Sequence, residues 1–227
     1  MNTIPIRPFA ALKIFTLAAL ALALLLLSGC RWVGVKGDGD IITDSRSITP
    51  FTALEADGAY EVKWTRGEPA LSITTDKNLL EYLRTNVSDG ELQISWIKPL
   101  RGTRGIKIKV SSPSLSHVEL NGAVRFVGST LSGPELYLEA NGASRIALEG
   151  NVNALSAEMN GASRLDAESL ITRAIELTIN GAGRAEVHAT EVLRAEISGA
   201  GKVVYAGEPK SVSRQISGAG SIKKRQE

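Results

Sequence analysis

The sequence predicts an all-β protein. It reads as a parallel β-helix, or solenoid, with coils of about 19 residues, behind a strand-rich N-terminal portion containing one short helix. Three observations predict it. One phrase recurs six times, as Asn121-Gly122-Ala123, Asn141-Gly142-Ala143, Asn160-Gly161-Ala162, Asn180-Gly181-Ala182, Ser198-Gly199-Ala200 and Ser217-Gly218-Ala219, at intervals of 20, 19, 20, 18 and 19 residues. A fixed period of that length marks a repeat architecture. The residues around each phrase alternate apolar with polar, the period of a half-buried strand. The glycines fall mostly at the repeat corners, so their abundance is periodic and not that of a disordered tract.

The first 29 residues read as a secretory signal peptide. Arg7 and Lys13 form a positive start, and Ile14 to Leu27 is almost purely apolar. Leu27-Ser28-Gly29-Cys30 resembles a bacterial lipobox, in which the Cys takes lipid and becomes the mature N-terminus. The alternative is a signal anchor that meets a Cys by chance. Cys30 is the only cysteine of the chain, and a lone Cys in an exported protein needs an explanation. Acylation supplies one and leaves no cysteine for a disulfide. The expected address is the cell envelope, with the lipid anchor in a membrane. Arg31 stands where an Asp retains such lipoproteins in the inner membrane of well-studied Gram-negative bacteria, so the outer membrane or periplasm is expected.

The leader also carries the apparent basicity. The whole chain has 26 basic and 24 acidic side chains, and two of the basic ones are Arg7 and Lys13. The mature chain is neutral, without the net basic footprint of a nucleic-acid binder.

Residues 30–40 read as a tether. Its Gly37-Asp38-Gly39-Asp40 suggests calcium, but the twelve-residue loop with a closing Glu is absent, and a plain turn is expected. A first strand starts near Ile41. Strands follow at Tyr60 to Trp64, Leu71 to Thr74, Leu92 to Trp96 and Ile106 to Val110, with turns at Arg66-Gly67 and Asp89-Gly90. Asp76 is placed to cap a short helix from Lys77 to Arg84, with Leu79, Leu80 and Leu83 on one face. Asp57-Gly58-Ala59 looks like an earlier, degenerate copy of the corner phrase. The repeats proper span 113–222 in a domain of 41–222, and 223–227 is a charged tail suited to a solvated end.

Within each repeat, Val118 and Leu120, Leu138 and Ala140, Ala157 and Met159, Leu177 and Ile179, and Ala195 and Ile197 are expected to face inward. A second strand follows each corner, marked by Phe126, Ile146, Leu165, Ala185 and Val203. A third apolar beat is expected at Leu131, Val152, Leu170 and Val192. Each coil would then hold two or three short strands and as many corners. One coil cannot bury its inner face alone, whereas stacked coils about 4.8 Å apart can. Gly122, Gly142, Gly161, Gly181, Gly199 and Gly218 supply the positive φ of a sharp corner. Asn121, Asn141, Asn160 and Asn180 tolerate the same region, and their amides can bond up the stack.

The lipobox, the lead-in Arg46-Ser47-Ile48-Thr49-Pro50-Phe51, the strand Gly58-Ala59-Tyr60-Glu61-Val62, the turn Asp89-Gly90-Glu91-Leu92 and the repeated corners together resemble the head GIN domain family, auto-transporter adhesins of bacterial envelopes. The resemblance covers about residues 41 to 222. It implies an exported β-helical domain with an adhesin's role, and no catalytic residues.

Two charged columns then offer themselves. Arg125, Arg145, Arg164, Arg184 and Lys202 each lie four residues after the Asn or Ser of a corner, so a solenoid must align them. They are a candidate stripe for an anionic polymer, such as envelope polysaccharide or lipid phosphate. The alternative is that they pair around the corner with Glu119, Glu139, Glu158 and Glu196. Carboxyls on neighbouring rungs approach the spacing of a retaining glycosidase, about 5–5.5 Å, so a polysaccharide-active enzyme is an alternative function. Yet repetition gives that spacing everywhere, and Asp166 is the single aspartate after Pro113, whereas β-helical pectin-type enzymes cluster Asp on adjacent coils.

No cofactor or metal is expected: His117 and His188 are the only histidines, expected on exposed strand positions without Cys partners. Exposed aromatics for sugar stacking are scarce, since Phe126 and Tyr205 fall on the inward beat and only Tyr137 does not. The expected function is surface contact by a rigid, lipid-anchored β-helix, adhesin-like or scaffolding. The expected partners are the membrane and an envelope polysaccharide or surface protein. A homo-oligomer, or passive self-assembly through the solenoid's edges, is the remaining alternative.

Overall fold

The computed structural model describes residues 34–226 apart from 102 and 104. The leader and Cys30 lie outside the described residues. The N-terminal part contains β1 (Val35–Lys36), β2 (Ile41–Arg46), β3 (Ala53–Gly58), β4 (Glu61–Arg66), β5 (Ala70–Asp76), β6 (Leu83–Ser88), β7 (Glu91–Trp96), β8 (Leu100–Arg101) and β9 (Lys107–Ser112). The repeats contain β10 (His117–Gly122), β11 (Arg125–Gly142), β12 (Arg145–Gly161), β13 (Arg164–Gly181), β14 (Arg184–Gly199), β15 (Lys202–Ala206), β16 (Ser211–Gly218) and β17 (Ser221–Lys224). They stack in parallel into a β-solenoid of about five turns with coils of about 20 residues.

The coils are less segmented than the alternation suggests. β11 to β14 are each one long strand wound once around the axis, where two or three short strands were expected. The backbone stays bonded to the coil below through the gentler bends, which appear only as register shifts, at Gly128/Leu131 and Ala147/Gly150 for example. The Asn/Ser-Gly-Ala phrase is the corner at which the strand of every coil is interrupted.

Register explains the core. Val118, Leu138, Ala157, Leu177 and Ala195 pair rung upon rung, and all are buried. Leu and Ala alternate up this column, which lets rungs interdigitate at interior density. Phe126, Ile146, Leu165, Ala185 and Val203 form a second buried column. The third beat is only partly as expected. Leu131, Val152 and Leu170 are buried, but Val192 is half-buried and Leu193 takes the inward position. Val192 stands six residues before Ser198 and pairs with Ala174, on the half-buried column that begins at Ala154, while Leu193, five before Ser198, lies opposite Ile175. Leu136, Leu155, Ile175 and Leu193 thus make a further inner column.

The N-terminal portion is the bottom of the same stack. β3 lies under β10 with Asp57 opposite Asn121 and Gly58 opposite Gly122, so the degenerate phrase is the first corner. β4 lies under β11. The rung beneath is assembled from β7 and β9, and is closed by antiparallel β6 on β7, β5 on β9 and β2 on β5. Such turning back covers the parallel edge that an open solenoid would expose. Tyr60 and Trp96 meet edge to face over Gly58, with the Tyr60 hydroxyl donating to Ile94 O at 2.7 Å.

Two expectations are corrected at the ends. The one short helix is present, but as a 3-10 helix, Lys77–Tyr82, that stops before the expected Arg84, since Leu83 begins β6. Asp76 precedes it without a side-chain cap; its carboxylate instead accepts the Gly39 N–H at 2.8 Å and so closes the Gly37–Asp40 turn. At the other end, Lys223 and Lys224 belong to β17, and Arg225 lies back along the side of the stack, bridging Glu168 at 2.7 Å and Glu186 at 2.8 Å. These residues are exposed, as a solvated end requires, but they are held on the last coil and do not form a free tail.

Candidate functional site: two charge ladders at one corner

The corner column sets the site. Gly122, Gly142, Gly161, Gly181, Gly199 and Gly218 all have φ between +105° and +133°. Each packs on the carbonyl of the glycine below, which also accepts the next Ala N–H, as Ala162 N to Gly142 O at 2.8 Å. A Cβ at Gly161 would sit 2.5 Å from Gly142 O. Glycine is thus required twice, by conformation and by contact. Behind the corner, Ser144 and Ser163 are buried, and their hydroxyls accept the N–H of Val124 and of Ser144 in the coil below.

Asparagine turns this corner into a ladder. Asn141 donates to Asn121 at 3.1 Å, Asn160 to Asn141 at 3.0 Å, and Asn180 to Asn160 at 2.9 Å. The same amides donate to the carboxylates two residues back: Asn121 to Glu119 at 3.0 Å, Asn141 to Glu139 at 2.8 Å and Asn160 to Glu158 at 3.1 Å. Each carboxylate is therefore held on its own side of the corner.

That arrangement overturns the alternative in which the two columns pair around the corner. Arg125, Arg145, Arg164, Arg184 and Lys202 stand in one register line, all exposed. Among the described residues none of the five makes an ion pair with Glu119, Glu139, Glu158 or Glu196. Three of these four carboxylates are already engaged by Asn, and the corner separates the faces. At a rise of about 4.8 Å per rung the five cations span roughly 19 Å. Like charges in such register repel.

The stripe has defined borders. Below Arg125 the line continues with Glu61, which pairs with Lys63 at 3.0 Å. Beside it, Val127 and Ala147 flank Arg125 and Arg145 around a shallow hollow of about 180 Å³ that reaches Arg164 and Asp166.

The acidic face is longer than the sequence suggested. Glu55 lies directly under Glu119, two residues before the degenerate corner, and the shared offset from Asp57-Gly58 was the signal for it. Burial, and then Asp57, Glu119 and Glu91, raise the Glu55 carboxyl above the usual carboxylate range. Tyr137 is raised by burial and by the neighbouring glutamates.

His117 and His188 are half-buried, where exposed positions were expected, and His117 stacks on Tyr137 with ring centres 4.8 Å apart. Phe126 and Tyr205 are buried in the core. Among the described residues no group of three or more His, Cys, Asp or Glu is placed to hold a metal.

Known proteins with this form can now be compared. Residues 50–209 match the family model described as "Putative auto-transporter adhesin, head GIN domain". A putative adhesin from Bacteroides fragilis NCTC 9343 has the same fold, with a TM-score of 0.69 and 22% identity over 85% of this chain and 100% of its own. A putative adhesin from Parabacteroides distasonis ATCC 8503 aligns with a TM-score of 0.56 and 19% identity over 85% of this chain and 100% of its own. One from Parabacteroides merdae ATCC 43184 gives 0.53 and 22% over 86% and 100%. At such identities these likenesses speak for the fold. No relative matches among curated proteins. With the family match covering most of the chain and the corner column running through it, this chain belongs to the head GIN domain family of putative auto-transporter adhesins.

Proposed function

We propose that the protein is lipid-anchored at Cys30 in the cell envelope, at the outer membrane or on its periplasmic side, and makes non-catalytic surface contact through its solenoid. The contact face is the stripe Arg125, Arg145, Arg164, Arg184 and Lys202, and the partner is an anionic envelope polymer, with acidic polysaccharide as the first choice. One observation carries this reading: five exposed cations stand in register with no carboxylate partner among the described residues. A linear polyanion offers charges at intervals and can meet several rungs together, so weak contacts add. Such a local field acts although the mature chain is neutral. Val127 and Ala147 beside the lower rungs suit the C–H faces of sugar rings.

The test is binding of the purified protein to polygalacturonate, compared with Arg145→Ser plus Arg164→Ser. Both arginines are exposed, so the variant should fold normally and lose most of its affinity. Equal binding by the two proteins would remove the stripe from the account.

A further inference from the structure

A second hollow lies away from the corner, at the bottom of the stack. It has a volume of about 590 Å³, within the range of small-molecule sites, about 300–1,000 Å³. It forms where β2, β4 and β9 run out and β5 begins. Register places Ser45, Ser72, Lys109, Lys63 and Val127 in one row across five adjacent strands. Their chain neighbours Leu71, Ile73, Val62, Trp64, Ile108 and Val110 are buried, so this row points outward into the hollow.

The lining has a consistent chemistry. It contains Lys63, Lys109 and Arg46 and no carboxylate. Arg46 is committed to structure: it pairs with Asp44 at 2.9 Å and donates to Leu83 O at 3.0 Å and to the Thr85 hydroxyl at 2.9 Å. Lys63 has only Glu61, outside the lining, at 3.0 Å. Lys109 makes no ion pair among the described residues. Two ammonium groups directly opposite on adjacent strands repel, and an anion seated between them would offset that. Hydroxyls of Thr65, Ser111 and Ser129 also line the site, while Pro69 and Ala70 give it an apolar wall.

We propose that this hollow binds one sugar-sized polyol carrying a single anionic group, carboxylate or phosphate. The lysines receive the anion as point charges, the hydroxyls exchange hydrogen bonds with the polyol, and the apolar wall takes its C–H face. The site shares no cation with the stripe, and Val127 alone lies beside both. It adjoins the stripe along β11, where Val127 and Ser129 line the hollow two and four residues beyond Arg125. A monomeric acid can occupy the hollow without the multiple contacts that the stripe needs, so the two readings fail separately.

The experiment is titration of the purified protein with glucuronate, glucose 6-phosphate and glucose by calorimetry. At least one acid should bind and glucose should not. Lys63→Ser plus Lys109→Ser should weaken acid binding at least about tenfold, the loss of a charge-assisted hydrogen bond, whereas Arg145→Ser plus Arg164→Ser should leave it unchanged. Binding of glucuronate alone assigns the source to carboxylated polysaccharide, and of glucose 6-phosphate alone to a phosphate-bearing headgroup. Should the lysine variant misfold, amide shifts of the wild type under acid titration replace it, and these should concentrate at Thr65, Ser72 and Ser111. The proposal is overturned if neither acid binds, if glucose binds as well, if the lysine variant binds unchanged, if the shifts lie elsewhere, or if the stripe variant loses monomer binding equally. Loss of polygalacturonate binding with monomer binding intact bears on the stripe alone.

Discussion

Gly161→Ala probes the stacking at the heart of the fold. Gly161 has φ +112°, and a Cβ there would lie 2.5 Å from Gly142 O and 3.3 Å from Gly142 C. Both atoms are backbone of the coil below, so neither can swing aside. The same carbonyl accepts the Ala162 N–H at 2.8 Å. Backbone strain of this kind costs about 1–3 kcal/mol, weakening one ladder bond about 1 kcal/mol, and forcing packed coils apart about 1–3 kcal/mol. A loss of about 3–7 kcal/mol is expected, a large share of a domain's usual ~5–15 kcal/mol. Gly90 supplies the control: it has φ +79° in the β6–β7 turn, and its Cβ would meet nothing within 4 Å. Gly90→Ala should therefore cost only the left-handed strain, about 1–2 kcal/mol. Urea unfolding followed by circular dichroism, with slopes compared so that midpoints can be read as stability, measures both. Equal losses would refute the claim that close approach, beyond conformation, demands glycine at the corner.

Asn160→Ala removes the bonds to Asn141 and Glu158 and the one accepted from Asn180, and should cost about 1.5–4.5 kcal/mol in urea unfolding at ~0.5–1.5 kcal/mol per net bond; an unchanged midpoint would show the ladder to be decoration. Glu55 is raised above the usual carboxylate range by burial and by Asp57, Glu119 and Glu91, so the folded state holds its proton more tightly than the unfolded chain does. Its contribution is present at low pH and is lost as pH rises through the raised value, so Glu55→Gln should stabilise at pH 7 and do nothing below the ordinary carboxylate range; a destabilised variant at pH 7 contradicts this. Cys30→Ala should abolish palmitate labelling and release the protein from membranes, and a wild type that is retained without lipid label would point to a signal anchor.

Much of this was legible because repetition makes side-chain columns follow from spacing alone. The corner glycines, the inward pairs and the alignment of the basic residues needed only the interval between phrases. The pairing of the columns was not legible, since it turned on Asn121, Asn141 and Asn160 holding the carboxylates two residues back, a local contact that competes with any bond across the corner. The place of Val192 turns on its distance to the corner: it stands six residues before Ser198, in line with half-buried Ala154 and Ala174, whereas Leu155, Ile175 and Leu193 stand five before theirs and are buried. The small-molecule hollow was invisible for a different reason. Lys63 and Lys109 lie far apart in the chain and meet because β4 lies on β9, and Ser45 and Ser72 join them because β5 turns back antiparallel to β2 and β9.

The salt dependence of polygalacturonate binding tests the central claim most directly. Screening shortens the reach of exposed charges as ionic strength rises, and a polymer held by aligned cations releases counterions in proportion to the number engaged. The account predicts affinity that falls steeply with added salt for the wild type, and a slope reduced in proportion to the two cations removed in Arg145→Ser plus Arg164→Ser. Binding that ignores salt, or a slope that the double variant leaves unchanged, would contradict it.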